Sequence, residues 1–381
     1  MLISRLVLKN WRNFRHIDVS LSDRVFIVGA NASGKSNFLD AIRFLREIAK
    51  PGGGLQNSLA LRGGLSKVRC LSARKDPDVE IEVELSEPNS PAIWRYAIGL
   101  TQQVRGHHLP ILKYEKVWKQ GKLLLDRPTD SDRQDELLLT QTHLEQINSN
   151  TKFREVARFL ESVRYLHLIP QLLRSSEVYK SPSAPDDPYG RNFLELVART
   201  SEKIRRSRLK KIETALRQAV PQMRDLTDTK DDTGVPHLEV LYEHWRPNAG
   251  RQQEDQFSDG TLRLIGLFWA ILDGDSPLLL EEPELSLNAA IVKRIPSLFH
   301  QLHRKRNSQV FVTTHSWELL SDKGVGAEEV ILLTPSHEGT QAQVASDRKE
   351  IRALLEAGLS VGEAVLPYTA PSGLKQFELF S

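Results

Sequence analysis

Apolar and polar positions along the chain follow the two periods that distinguish strands from helices. A short apolar run at 24–28 predicts a buried strand, and residues 37–45 repeat apolar side chains at helical spacing. Residues 79–85 alternate strictly, which is typical of a strand with one exposed face. Apolar runs at 277–280 and 310–314 predict two more buried strands. The pattern therefore predicts an α/β protein.

The middle of the chain has a different pattern. Strand-like segments at 92–100 and 113–125 are followed by charged helical stretches. Proline, serine, aspartate and glycine residues at 181–190 predict an exposed loop. Apolar strands and helices return at about 257, and residues 262–272 predict an apolar helix.

Composition indicates a cytoplasmic protein of mild charge. The 381 residues are 40% hydrophobic and 27% charged, with a net charge of +3, so charge alone argues weakly for a nucleic-acid partner. The single cysteine, Cys70, excludes an internal disulfide framework and a thiolate metal cluster. The first residues do not have the pattern of a signal peptide, and no apolar stretch is long enough to cross a membrane.

The segment GANASGKS at 29–36 carries the most specific chemistry. It matches the phosphate-binding pattern GxxxxGK[ST] at every fixed position, between a predicted strand and a predicted helix. That context disfavours the alternative, an ordinary glycine-serine turn. Its glycines let backbone N–H groups converge on phosphate oxygens, while Lys35 adds positive charge and the Ser36 hydroxyl can ligate Mg²⁺. We therefore predict ATP and Mg²⁺ as ligands, with nucleotide contacts from Asn31, Ala32, Ser33, Gly34, Lys35, Ser36 and Asn37.

An acidic pair and a histidine lie at the ends of later strands. Glu281 follows an apolar strand and is predicted to ligate Mg²⁺, and the adjacent Glu282 can polarise the attacking water as a general base. His315 ends the strand at 310–314, where a ring nitrogen can contact the γ-phosphate. A lone histidine is more often structural, but the phosphate loop and the acidic pair in the same chain favour the functional interpretation.

A second anion site is predicted at the start of the helix at 262–272. Ser258 and Gly260 offer a hydroxyl, backbone N–H groups and a helix dipole. Because the chain already has a phosphate loop, the natural use of this site is on ATP held by another subunit. The alternative is a simple helix cap, with Ser258 or Asp259 bonding the first turn.

Together these segments resemble the ATP-binding-cassette (ABC) type of ATPase found in SMC, RecF and OLD-family proteins. The residues that carry the resemblance are LKNWRNF at 8–14, the phosphate loop at 29–36, SDGT at 258–261, EEPE at 281–284 and THS at 314–316. As a set, these motifs are specific for the fold and the ATPase class and say little about biological role.

The resemblance implies an ABC-type P-loop ATPase head, with a mixed central sheet, an antiparallel β-subdomain and a mainly helical insertion. The implied domains are a first ATPase lobe at 1–95, an insertion at 96–250 that faces a partner or DNA, a second ATPase lobe at 251–335, and a tail at 336–381 that packs on the head.

It also implies further site residues and an oligomeric state. Arg12 approaches the nucleotide, together with Asn13, and Gln171 is our candidate for the glutamine that contacts Mg²⁺ and water. Two subunits are expected to close head to tail on ATP, as a homodimer or a higher homo-oligomer. Glu281 departs from the family pattern because many relatives have aspartate there.

The resemblance leaves out two features of larger relatives. Too few residues follow His315 for the Toprim nuclease domain of OLD proteins, and the insertion is too short for an SMC arm. We therefore expect any nuclease or toxin activity to come from an effector protein partner.

The basic segment at 203–211 is the sequence feature that most favours binding to duplex DNA. Its six cations can neutralise phosphates, although a solvated helix face or a surface for an acidic protein would have the same composition. The six residues are Lys203, Arg205, Arg206, Arg208, Lys210 and Lys211.

Two functional classes follow from the resemblance. The first is an ATP hydrolase that acts as a DNA-associated sensor or regulator in DNA repair or anti-phage defence. The alternative is an ATPase subunit that energises a membrane transport complex or a protein-only effector. The SDGT signature, the motif at Arg12 and Asn13 and the long insertion favour the first class.

Overall fold

The structure is a computed structural model. It describes residues 1–73, 76–103, 108–174, 187–243 and 250–369, the side chains of 302–306 excepted. The predicted loop at 181–190 therefore lies outside the described residues up to 186, and the predicted C-terminal tail lies outside them from 370.

The described strands are numbered in chain order. They are β1 Leu2–Trp11, β2 Phe14–Ser20, β3 Arg24–Gly29, β4 Val79–Ser86, β5 Ala92–Gln102, β6 Pro110–Lys119, β7 Lys122–Arg127, β8 Arg164–Leu166, β9 Met223–Lys230, β10 Pro236–Tyr242, β11 Arg251–Gln253, β12 Leu278–Glu281, β13 Val310–Thr314, β14 Val330–Thr334 and β15 Gln341–Val344.

The described α-helices are numbered in the same way. They are α1 Lys35–Ala49, α2 Leu55–Ala60, α3 Leu65–Val68, α4 Asp130–Gln134, α5 Arg154–Ser162, α6 Pro170–Leu173, α7 Phe193–Arg199, α8 Glu202–Leu216, α9 Asp259–Leu272, α10 Ala289–Val292, α11 Ile295–Arg306, α12 Trp317–Leu320, α13 Lys349–Glu356 and α14 Val361–Thr369. Short 3₁₀ turns lie at Glu136–Thr140, Thr151–Phe153, Glu254–Gln256, Ala327–Glu329 and Ala345–Asp347.

The chain divides into two compact units. The first contains 1–164, 276–279 and 296–381, and the second contains 165–275 and 280–295. The functional domains predicted at 1–95, 96–250 and 251–335 follow other limits and stay predictions. Most of β5 and all of β6 and β7 fall in the predicted insertion, yet they extend a sheet of the first unit, because β5 pairs with β4, β6 with β5 and β7 with β6.

An antiparallel sheet of the first unit has the order β2-β1-β4-β5-β6-β7. The strict alternation at 79–85 is confirmed by β4, where Val79, Ile81, Val83 and Leu85 are fully buried and the glutamates between them are not. Strands β6 and β7 join through Gln120 and Gly121, which both have positive φ, as a two-residue hairpin turn requires.

The second sheet has the order β15-β14-β3-β13-β12-β8 and contains the three strands that the sequence predicts to be buried. Strand β3 lies between β13 and β14 and runs parallel to both. All its residues are buried, since parallel strands are covered on both faces. The apolar runs predicted as strands at 24–28, 277–280 and 310–314 are confirmed. Strands β8 and β12 each cross the boundary between the units.

Helix α1 confirms the helical spacing at 37–45. It buries Phe38, Leu39, Ile42 and Leu45 on one face. It ends at Ala49 because Lys50 precedes Pro51 and takes an extended conformation, as residues before proline prefer.

The second unit combines helices α6 to α10 with the three-stranded antiparallel sheet β11-β10-β9. Helix α9 confirms the predicted apolar helix at 262–272, and residues 261–267 within it are buried without interruption. Phe193 of α7 meets Trp269 of α9 edge to face, with ring centroids 6.2 Å apart. This apolar packing holds α9 inside its unit.

A buried glutamine ties the two sheets of the first unit together. Gln309 is fully buried and precedes β13. Its side-chain oxygen accepts from the Ile3 N–H at 2.8 Å, and its amide donates to the carbonyls of Ile3 and Ser22 at 2.8 and 2.7 Å. One side chain thus satisfies three backbone groups that would otherwise be buried without partners.

Substitution Gln309→Met should therefore destabilise the protein. It keeps the side-chain length but leaves those backbone groups unsatisfied, and we expect a loss of roughly 2–4 kcal/mol in the free energy of unfolding. Urea unfolding followed by circular dichroism measures it. Gln341→Met, at an exposed strand position, is the matched control and should change stability by less than about 0.5 kcal/mol. Equal effects of the two substitutions would contradict this account.

Candidate functional site

The phosphate loop connects β3 to α1 in the first unit. Ala32 and Gly34 have left-handed backbone conformations, with φ of 61° and 99°. Lys35 is buried, and its Nζ donates to the carbonyls of Gly29 and Ala30 at 3.2 Å. The Ser33 hydroxyl is fully buried and has no hydrogen-bond partner among the described residues. The loop therefore brings a positive charge and an unsatisfied polar group together.

Asn13 packs against this loop. Its amide nitrogen donates to the Ser33 carbonyl at 2.8 Å and to the Thr340 hydroxyl at 2.7 Å, and its side-chain oxygen accepts from Asn37 at 2.8 Å. A Cβ on Gly34 would lie 2.2 Å from the Asn13 amide nitrogen. Two residues predicted to contact the nucleotide, Asn13 and Asn37, thus contact each other.

Arg12 lies beside the same helix. Its guanidinium pairs with Asp40 of α1 at 3.1 Å and donates to the Lys67 carbonyl at 3.2 Å. Arg62 also pairs with Asp40, at 2.6 Å. The predicted contact between Arg12 and the nucleotide stays a prediction.

His315 and the phosphate loop follow the carboxyl-terminal ends of two neighbouring parallel strands. Strand β13 runs parallel to β3, with Thr314 opposite Val28, so His315 follows β13 where Gly29 ends β3. His315 is exposed. Ser316 caps α12 by accepting from the Leu319 N–H at 3.2 Å. The first unit therefore brings together the loop and the histidine that the sequence predicts.

The acidic pair lies in the second unit. Glu281 is 9% exposed. Its carboxylate accepts from the Tyr165 hydroxyl and lies 3.3 Å from the His167 Nδ1. The hydrogen bond to Glu281 raises the pKa of His167 above its usual value. Glu282 takes a left-handed conformation with φ of 44°, which is uncommon for a residue with a long side chain.

Tyr165 and His167 were not predicted as site residues. Tyr165 lies in β8, and His167 follows Leu166, the last residue of that strand. Two polar aromatic residues, two positions apart in the apolar run at 165–170, are a signal that could have found them.

The SDGT segment begins α9. The Ser258 hydroxyl accepts from the Thr261 N–H at 3.2 Å, so the helix-cap interpretation of Ser258 is confirmed, and its role as an anion site stays a prediction. A Cβ on Gly260 would lie 2.8 Å from the Ser286 carbonyl oxygen, so the backbone there needs glycine.

The Asp259 carboxylate is bonded by one residue of α6 and by the residue that follows this helix. Gln171 donates to it at 2.8 Å, and Arg174 pairs with it at 2.6 Å while donating to the Phe257 carbonyl at 2.7 Å. Gln171, our candidate Mg²⁺ contact, thus bonds the SDGT segment in this structure. Arg174 is a further residue that the sequence did not predict.

Two of the six predicted DNA contacts are engaged inside the second unit. Arg205 pairs with Asp228 at 2.8 Å, and Arg208 pairs with Asp273 at 2.8 Å and stacks over Trp269. A cation with a protein partner loses that pair when it binds a phosphate, and the DNA contacts of these two arginines stay predictions. Arg206 pairs with Glu202 at the surface. The lysines of the set, Lys203, Lys210 and Lys211, are exposed.

Within the described ranges, none of the helices has both the length and the apolar character that a membrane span needs.

Comparison with known proteins gives a family and a fold. Residues 24–321 match the model of the family described as "AAA domain, putative AbiEii toxin, Type IV TA system". The SMC head in the crystal structure with the C-winged helix domain of ScpA has a TM-score of 0.54 at 15% identity, over 90% of this chain and 98% of that one. An SMC head from Pyrococcus furiosus, bound to the C-terminal domain of ScpA, has a TM-score of 0.52 at 14% identity, over 93% and 99%.

Curated relatives match over shorter segments. The transporter ATP-binding protein EcfA2 of Bacillus licheniformis is 29% identical over 113 residues, which are 29% of this chain and 37% of that protein. RecF of Bacillus mycoides is 46% identical over 46 residues, 12% of each chain. Endonuclease GajA of Bacillus cereus is 44% identical over 54 residues, 14% of this chain and 9% of that one. The chain thus spans well under half the length of each.

Substitution Gly34→Ala should weaken ATP binding at least about tenfold, because the added methyl group displaces the Asn13 amide and a left-handed residue with a Cβ is strained. Gly64→Ala is the matched control, since Gly64 has φ of 91° and open space where a Cβ would lie. Titration with a fluorescent ATP analogue measures both variants. Equal losses of affinity would show that backbone strain alone, and not the contact with Asn13, determines the effect.

Proposed function

We propose that this chain hydrolyses ATP to ADP and phosphate. The chain belongs to the family described as "AAA domain, putative AbiEii toxin, Type IV TA system". It has the ABC-type ATPase fold of the SMC, RecF and OLD group. The observation that carries the proposal is the phosphate loop between β3 and α1, with Lys35 buried inside it. A lysine at that position neutralises β- and γ-phosphate oxygens.

The loop fits a triphosphate. Left-handed residues such as Ala32 and Gly34 are typical of anion-binding nests, in which consecutive backbone N–H groups point to one side. Helix α1 begins there, so its positive dipole end points to the same place. The unsatisfied Ser33 hydroxyl gives the buried loop one more donor.

Mg²⁺ would be held by the Ser36 hydroxyl and the Glu281 carboxylate, with the Gln171 side-chain oxygen as a third ligand. When bound, the ion supplies positive charge to the phosphate oxygens and to the leaving group. Glu281 suits this role because Tyr165 and His167 orient its carboxylate. Gln171 keeps its oxygen available, since its amide nitrogen is the group that bonds Asp259.

Glu282 is assigned as the general base and His315 as the γ-phosphate contact. The left-handed conformation of Glu282 is the kind of strain that functional positions retain. The assignment of His315 is supported by its exposure and by its place after β13, the strand parallel to β3, which ends at Gly29 where the loop begins. Arg12, Asn13, Asn31, Ala32 and Asn37 complete the proposed nucleotide contacts.

The SDGT segment is assigned as a site that contacts the ATP bound by a second subunit. Ser258 caps α9, so the positive end of the helix dipole lies at this segment, which supports the assignment. Two such subunits, related by a two-fold axis, would enclose two ATP molecules at one interface. ATP would then drive dimerisation, and hydrolysis would reopen the dimer.

For the biological role, we propose a DNA-associated sensor or regulator in DNA repair or anti-phage defence. A relative named for DNA replication and repair and another named as an endonuclease support this role. An SMC head bound to part of ScpA supports an effector protein partner. The transporter relative supports the alternative, an ATPase subunit that energises a transport complex.

Substitution Glu282→Gln should lower the rate of ATP hydrolysis by about 10²–10⁴-fold while leaving ATP binding intact, because only the general base is lost. The measurement is steady-state phosphate release, with and without duplex DNA, together with mass in solution. We expect the variant to accumulate as a dimer in ATP and the wild type to hydrolyse ATP faster when DNA is present.

Glu281→Gln is the matched control, with the same loss of charge one residue away. It should raise the Mg²⁺ concentration needed for half-maximal hydrolysis, which Glu282→Gln should leave unchanged. Wild-type turnover by Glu282→Gln would remove the assignment of the base. Hydrolysis that ignores DNA would keep the ATPase and favour a protein partner.

The exposed face of α8 is the proposed DNA contact. Lys203, Lys210 and Lys211 lie on it, and Lys203 and Lys210 are seven residues apart, so they project from one side of the helix. The nearby Glu202 is neutralised by Arg206, and Glu213 pairs with Arg217. The face therefore keeps a net positive charge.

Replacing Lys203, Lys210 and Lys211 together by glutamate should lower duplex affinity at least about tenfold and reduce the slope of log affinity against log salt by about three. Fluorescence anisotropy at several salt concentrations measures both quantities. The control makes the same change at Lys122, Lys323 and Lys349, which are exposed in the first unit. Equal losses in the two triple variants would show that only net charge matters.

A further inference from the structure

We propose that Thr340, in the hairpin between β14 and β15, is a positioning residue for the phosphate loop and sets its affinity for ATP through Asn13. This inference rests on the proposed ATP binding. It concerns the Asn13 cluster, defined as Asn13, Ser33, Asn37 and Thr340. Thr340 lies beyond residue 321, where the family match ends, and more than 300 positions from the loop it would control.

The geometry of one peptide unit carries the argument. In a planar trans peptide, the carbonyl and the N–H point in opposite directions. The Asn13 amide holds the Ser33 carbonyl at 2.8 Å, so the N–H of the next residue, Gly34, points to the side of the loop away from Asn13. An N–H group at this position of the pattern is one that contacts phosphate. Through this bond, Asn13 sets the direction of a phosphate donor, in addition to the nucleotide contact predicted for it.

Thr340 in turn fixes the Asn13 side chain. The Thr340 hydroxyl accepts from the Asn13 amide at 2.7 Å, and the Thr340 N–H donates to the Asn13 carbonyl, also at 2.7 Å. Asn37 donates to the Asn13 side-chain oxygen at 2.8 Å. The amide has two donors and both are used, so the side chain cannot rotate without losing hydrogen bonds.

Glycines allow this close approach on both sides of Asn13. A Cβ on Gly339 would lie 2.7 Å from the Asn13 carbonyl oxygen, and one on Gly34 would overlap the Asn13 amide. Thr340 is 5% exposed, so its hydrogen bonds are shielded from water. The turn at 336–339 is closed by backbone bonds between Ser336 and Gly339 in both directions, which gives Thr340 a fixed support.

The consequence is a coupling between the hairpin and the nucleotide. If ATP requires the Gly34 N–H in this direction, then ATP binding stabilises the bonds of the Asn13 cluster, and loss of those bonds weakens ATP binding by the same factor. A partner that moved the hairpin would thereby change nucleotide affinity.

Thr340→Val tests the inference, because it removes the hydroxyl and keeps the side-chain shape. We expect the dissociation constant of Mg²⁺ with a fluorescent ATP analogue to rise about three- to tenfold, the effect of one lost hydrogen bond. Thr340→Ser should restore affinity to within about twofold, since the hydroxyl returns. The matched control is Thr142→Val, at another buried threonine, whose hydroxyl donates to Glu145.

Thermal unfolding without nucleotide separates positioning from stability. Thr340→Val and Thr142→Val should lower the melting temperature similarly, and only Thr340→Val should weaken binding. Wild-type affinity in Thr340→Val would overturn this inference and leave the proposed ATPase intact. A wild type that binds no ATP, with Lys35→Ala as the reference for lost binding, would overturn both.

If Thr340→Val does not fold, amide hydrogen exchange of the wild-type protein, measured with and without nucleotide, tests the same coupling. Saturating Mg²⁺ and ATP should slow exchange of the Thr340 amide together with the loop amides. Protection of the loop without protection of Thr340 would overturn the coupling.

Discussion

The hydrogen bond from the Asn13 amide to the Ser33 carbonyl is the interaction on which the phosphate loop depends. A loop of this kind directs several N–H groups to one side, which leaves the opposing carbonyls in need of partners. Asn13 supplies such a partner, and Gly34 is bare of a side chain so that Asn13 can approach. The conformation of the loop therefore depends on Asn13, in the turn between β1 and β2, as well as on the sequence of the loop itself.

Much of the fold follows from local patterns in the sequence. The alternation at 79–85 predicts a half-exposed strand because each residue's burial depends only on its side of the pleat, and β4 confirms it. The phosphate loop is recognisable because its chemistry is contiguous, with every contributing residue between β3 and α1. Elements whose burial and chemistry are both local can be predicted from one sequence.

Contacts between distant residues could not be predicted. Thr340 reaches Asn13 because β15, which it precedes, packs beside β2, and no local signal at Thr340 indicates a partner 327 positions away. The same holds for Tyr165 and Glu281, which are 116 positions apart. The Glu281 side chain is held by a tyrosine hydroxyl and lies beside a histidine ring, neither of which a local signal at Glu281 indicates.

The basic helix shows why composition is a weak guide to a binding surface. Six cations in nine residues suggest one continuous polyanion site, but a 3.6-residue period distributes neighbours around the helix. Arg205 and Arg208 fall on the side that packs, where Asp228 and Asp273 neutralise them, and Trp269 covers the guanidinium of Arg208. Reversing their charge would break pairs that are less than one-fifth exposed on the arginine side, so a loss of DNA binding would report on folding. Only the lysines on the exposed face separate the two effects.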